Sequence, residues 1–138
     1  MKLLSKVLLS IGLLVLSLGA GASAPNLTVE QNLVVSYFRC FEAAKERARI
    51  ETCTSKIVTQ ELPKVERARM NTWLLRYRFK LAGFAKCDSK KVASARFFSL
   101  ATQDYVCADL RIGAVVKSAI FYLDKKSDGK ILLKSIYY

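Results

Sequence analysis

From residue 28 onward the spacing of apolar positions changes character once along the chain. Leu33, Tyr37, Phe41 and Ala44 recur at helical intervals, which predicts an amphipathic helix with that stripe turned to a core. Thr28 precedes it with Gln31 three residues on, the arrangement of a capping box. A second short helix is expected to open at Thr52 or Thr54 and to carry Ile57, Val58 and Leu62. Pro63 would end it, because the residue before a proline avoids the helical region. A third short helix is expected after Pro63.

Near Trp73 the period becomes two. Leu75, Tyr77, Phe79 and Leu81 alternate with Arg76, Arg78 and Lys80, which predicts a half-buried strand. The rival is a helix from Val65 through Leu81 with Met70, Trp73, Leu74, Tyr77 and Leu81 on one side, but it leaves Leu75 and Phe79 off the stripe. Strand-like runs follow at 92–100, whose alanines also fit a helix, and at 105–112, 115–123 and 131–138. Asp128-Gly129 is a hairpin signal between the last two. Helices first and an antiparallel meander second make the class α+β. Gly and Pro are scarce after residue 25 and no repeat interrupts the run, so residues 23–138 read as a single domain.

The first 22 residues follow a different pattern. Lys2 and Lys6 precede an apolar run from Val7 to Leu18, and small residues follow from Gly19 to Ala24. That is the anatomy of a cleavable signal peptide. A run of about 12 apolar residues is short of the roughly 20 that span a bilayer. Of the two frames that suit a peptidase, Ala20-Gly21-Ala22 is favoured because the other places Pro25 just beyond the cut. The expected product is exported, periplasmic or secreted, and carries no transmembrane anchor.

Export changes how the cysteines read. Cys40, Cys53, Cys87 and Cys107 form an even set, which in an oxidising compartment means two disulfides. Three pairings exist and sequence alone does not choose; proximity favours Cys40–Cys53 and Cys87–Cys107. Zinc is disfavoured by the absence of histidine and of any C-x-x-C knuckle.

Charge bears on partners. The chain carries 23 Lys and Arg against 11 Asp and Glu, a net +12; losing Lys2 and Lys6 with the signal would leave two fewer. Such a balance suits an anionic partner: a lipid, a cell-envelope polymer or an acidic protein surface. Strand alternation would place Arg76, Arg78 and Lys80 on one sheet face at steps of roughly 6.6 Å. With Lys117 and Lys134 from neighbouring strands they form a candidate anion-binding face, weighed against an ordinary solvated face that guards a sheet edge. No phosphate loop, RNA-binding aromatic signature or helix-turn-helix pattern is present, so nucleic acid is a partner that charge permits and no motif supports.

The layout resembles the nuclear transport factor 2-like superfamily. The stretches that carry the likeness are VVSYFRCFEAAKERARIETCTSKIVTQEL, similar to that family's opening helix pair, and AIFYLDKKSDGKILLKSIYY, similar to its closing hairpin. Lys45-Glu46-Arg47 stands where the family usually has a Gly-Asp turn, and the last strand lacks tryptophan. A cystatin-like domain, one helix on an antiparallel sheet, is the competing arrangement. The resemblance implies a curved, cone-like sheet wrapped around N-terminal helices. It also implies two possible roles, since that superfamily holds isomerases and dehydratases beside non-catalytic binding domains, and fold does not choose between them.

With no histidine, catalytic triads and histidine metal sites are excluded. An isomerase-like reading would use Asp104 or Asp109 with Tyr105, Tyr122 or Tyr137, though no spacing marks a pair, so no catalytic residue and no cofactor is assigned. The alternative is a small-ligand pocket lined by Phe38, Phe41, Trp73, Phe97, Phe98 and Tyr122. Aromatics at such spacing are more often packed core. The leading expectation is a small, exported, non-catalytic domain that recognises an anionic partner.

Overall fold

Thr28 caps the first helix as expected: its hydroxyl accepts from the Gln31 amide at 3.1 Å, and the Gln31 side chain accepts from the Thr28 amide at 3.0 Å. The computed structural model describes residues 26–95 and 104–138. Three helices come first, α1 (Val29–Ala43), α2 (Arg47–Thr54) and α3 (Lys64–Tyr77). Then follow β1 (Lys80–Phe84), α4 (Ser89–Ala95), β2 (Asp104–Ile112), β3 (Val115–Lys125) and β4 (Ile131–Tyr137). The four strands form one antiparallel sheet in the order β1-β2-β3-β4. The class is α+β. The sheet is open, with β1 and β4 at its edges; it is not closed or strongly curled, so the cone remains an expectation of the resemblance.

The strand β3 organises the core. Ala119, Ile120, Phe121, Tyr122 and Leu123 are all buried, none more than 2 % exposed. Ala119, Phe121 and Leu123 pack on one face with Val34, Tyr37 and Phe38 of α1, Leu74 of α3, Phe79, and Leu110 and Leu133 of the flanking strands. Ile120 and Tyr122 pack on the other with Cys107 of β2 and Val92 of α4. A strand that is apolar at every position requires cover on both sides.

Two disulfides hold those covers. Cys40–Cys53 joins α1 to α2 with Cα atoms 5.6 Å apart, and Cys87–Cys107 joins the approach to α4 to β2 at 5.2 Å. Closing loops of 13 and 20 residues is worth about 3 kcal/mol each in the chain-entropy account. A buried polar chain adds to the first cover. Tyr37 Oη donates to Asn71 Oδ1 at 3.0 Å, and Asn71 Nδ2 donates to Thr54 Oγ1 at 3.0 Å. It links α1, α3 and α2 in turn.

Three sequence expectations need correction. Thr52 and Thr54 do not open the second helix; they lie in its last turn. Their hydroxyls donate back to the carbonyls of Ala48 and Ile50, a bond that serves helix ends as well as starts. Ile57 and Val58 consequently leave the helix, and Thr59 N and Ile57 O bond to Leu133 of β4 at 2.9 and 2.8 Å.

The period-two run from Leu75 to Leu81 is not a strand. Residues up to Tyr77 are the last turn of α3, Arg78 is left-handed at φ 49°, and β1 begins at Lys80. The alternation straddles a helix end that no Gly or Pro announces. Met70, Trp73, Leu74 and Tyr77 do share the helix, as the rival reading had them, and α3 at 14 residues is longer than expected. In the run at 92–100, α4 takes the place of a strand up to Ala95, and the remainder lies outside the described residues.

Arg78 supplies a test of this helix stop. A side chain held in the left-handed region costs stability that glycine does not incur. Arg78→Gly is expected to raise the free energy of unfolding by about 0.5–1 kcal/mol in urea titration, and Arg78→Val to lower it.

Candidate functional site

The five cations expected on one sheet face are divided by the helix end at residue 77. Arg76 lies on α3 with its guanidinium 5.6 Å from the centre of the Tyr77 ring. Arg78 is the residue that ends α3, and Lys80 opens β1. Lys134 lies on β4 beside Glu66, Arg69 and Trp73 of α3. Arg78 and Lys80 border one groove, and Lys80 and Lys117 lie at one end of the sheet together with Arg111.

That end of the sheet is where β1 starts and β2 turns into β3. Lys80 stands directly opposite Arg111, and Arg111 directly opposite Val116. These three side chains therefore lie in one row on the α4 side of the sheet. One step along, Leu81, Leu110 and Lys117 form the next row on the other face. Arg111 and Lys117 thus flank the β2–β3 turn from opposite faces. The alternation over 105–112 would have found Arg111, since it puts that residue outward beside the turn.

The cover provided by α4 stops short of this row. Lys91 of α4 donates to the Ser118 carbonyl, and desolvation there holds its ammonium below the ordinary range, with Lys117 acting in the same direction. The partners of β3 on β4 begin only at Ile120. Beyond Ser118, β3 has neither helix nor strand on its outer side among the described residues.

Seven of the eleven acids pair with cations elsewhere, and Glu42 lines the groove that also holds Lys45, Arg78 and Lys80. Glu46, Glu51 and Glu66 pair with arginines along α2 and α3. Glu30 and Asp104 share Lys125, and Glu61 and Asp124 share Lys126. Lys80, Arg111 and Lys117 form no ion pair among the described residues. Asp109, one step along from Arg111 on the same face and opposite Ser118, is the nearest acid in the ladder and pairs with neither. Asp104, a candidate base in the isomerase-like reading, is 3.5 Å from the Lys125 ammonium.

The residues expected to line one pocket are dispersed. Phe38 and Phe41 line a groove of about 480 Å³ with Leu74, Leu75 and Phe79, whose rim holds Lys45, Arg78 and Lys80. Trp73 stacks on both Phe79 and Tyr138, with ring centres 4.2 and 3.5 Å away. Tyr122 belongs to the cluster on the opposite sheet face. Phe97 and Phe98 lie outside the described residues.

No protein-family model matches the chain, and no curated protein or solved structure does. No helix among the described residues is long and apolar enough to cross a membrane.

The engaged acids predict a pH dependence. Lys126 at 2.8 Å and the Thr59 hydroxyl at 3.1 Å hold the Asp124 carboxyl below its ordinary value of 3.8. The unfolded chain takes up that proton first, so this stabilisation is present above about pH 4 and is lost as pH falls through the lower folded value. Urea midpoints measured against pH should fall steeply with acid in the parent. Asp124→Asn should be less stable near neutrality and lose less on acidification.

Proposed function

We propose that the protein is an exported, non-catalytic binding domain that recognises an anionic partner at the uncovered basic end of its sheet. The observation that carries this reading is the opposition of Lys80 and Arg111 across β1 and β2. Like charges directly opposite on adjacent strands are destabilising, and no acid ion-pairs with either of them among the described residues. A cation on the edge strand can guard that edge, and an anion placed between the two side chains relieves their repulsion. The groove beside this pair carries Lys45, Arg78 and Lys80 together with Glu42 of α1.

Export is supported by the signal-like anatomy of residues 1–22 and by the two cysteine bridges, with the periplasm or the cell exterior as destination. The likeness to the nuclear transport factor 2-like superfamily is proposed on the same footing. Its support is the order of helices first and antiparallel meander second.

Chromatography on a sulfated polysaccharide tests the site. Lys80→Thr and Arg111→Thr should each elute at lower salt, with binding weakened about fivefold per cation, as ~1 kcal/mol for a Lys or Arg near an anionic surface gives. The same variants should match or exceed the parent's urea midpoint, because the opposed charges are relieved. Lys56→Thr, on the exposed end beyond α2, serves as the control and should leave elution unchanged. Retention equal to the parent's in both site variants would refute the proposal.

A further inference from the structure

The β2–β3 turn is unlike a turn made for water. It runs Arg111-Ile-Gly-Ala-Val-Val-Lys117, with no polar side chain between the two cations. Ile112 pairs with Val115, so Gly113 and Ala114 form a two-residue turn, and Gly113 takes φ 56°. Such turns ordinarily favour Asn, Asp and Gly. Here Val115 and Val116 follow at 55 % and 50 % exposure, while the strand interior from Ala119 onward is buried. The charged residues at the base lie on both faces, Arg111 with Lys80 on one and Lys117 on the other.

We infer that this hairpin tip docks on an anionic lipid bilayer, with Ala114, Val115 and Val116 entering the acyl boundary and Lys80, Arg111 and Lys117 meeting the headgroups. The inference rests on the anion-binding reading and names its partner. Two arguments favour a bilayer over a polymer or a protein groove. Exposed valines gain from an apolar phase and gain nothing from a sulfated or phosphorylated chain. A collar of cations on both faces of a protruding tip suits a planar anionic surface that surrounds the tip, as amphipathic anchors do. Among the described residues, β4 pairs with β3 only from Ile120 onward, and α4 reaches it at Ser118.

The test uses protein recovered after export, its N-terminus read by mass spectrometry and identical in parent and variants. Sedimentation with vesicles of phosphatidylglycerol and phosphatidylcholine should show binding that is weak on phosphatidylcholine alone. Val115→Asp/Val116→Asp should lower partitioning by about tenfold or more, and Val115→Thr/Val116→Thr, which keeps β-branched side chains in the strand, should lower it in the same direction. The Thr pair should retain its elution from sulfated polysaccharide, whereas the Asp pair, which sets a carboxylate directly opposite Arg111, should elute at lower salt. The fluorescence of Val115→Trp should be quenched by brominated acyl chains beyond that of the parent, whose signal comes from Trp73. Parent protein that fails to bind anionic vesicles, valine variants that bind as the parent does, or Val115→Trp fluorescence no more quenched than the parent's would overturn the inference. If polysaccharide retention still responds to Lys80 and Arg111 in that event, the anion-binding reading stands without it.

Discussion

A strand buried on both faces must be covered on both faces, and the rest of the molecule answers that requirement of β3. Ala119 through Leu123 present alternate side chains to two separate apolar clusters. Helices α1 and α3 supply the cover on one side, and α2 packs against them. They are fixed by Cys40–Cys53 and by the Tyr37–Asn71–Thr54 chain of hydrogen bonds. On the other side the described cover is α4, seven residues long. A helix that short is marginal alone, so the Cys87–Cys107 bridge and Val92 hold it in place.

Among the described residues β3 is longer than its cover, which leaves one end of the sheet exposed. The open end and the covered end differ in charge as well as in packing. Acids and cations pair along α2 and α3 and around the β3–β4 connection, whereas Lys80 and Arg111 face each other at the open end. A net charge of +12 would be uninformative if spread evenly. Placed against a row of unpaired cations and an apolar turn, it acquires a direction.

Much of the fold was legible because its signals are local. The capping box at Thr28, the helix start after Pro63, the two long central strands and the hairpin at Asp128-Gly129 each follow from a few neighbouring residues. Sequence proximity also favoured the two cysteine pairs seen. The failures share a cause, which is an element end without a Gly or Pro. Arg78 stops α3 in the left-handed conformation, so helix and strand fuse into a false alternation. Thr52 and Thr54 bond to preceding carbonyls, and a threonine's sequence does not say which way its hydroxyl turns. The expected strip of cations broke up in consequence: Lys80 and Lys117 lie at the same end of the sheet but on opposite faces, Arg76 and Arg78 lie at the end of α3, and Lys134 lies on β4. The alternation of β2 turns Arg111 outward, but its row with Lys80 depends on register between strands. The apolar turn at Gly113-Ala114 was passed over because it carries only half of the usual hairpin signal.

The central claim is that the uncovered end of the sheet is where an anionic surface is met. Residue-resolved amide chemical shifts, recorded as the protein is titrated with nanodiscs of phosphatidylglycerol, test it most directly. The account predicts that perturbations concentrate at Lys80, Arg111 and residues 112–117 and leave α2 and the β3–β4 connection unchanged. Perturbations confined to α2, α3 or the β3–β4 connection, with the β2–β3 turn unmoved, would contradict it.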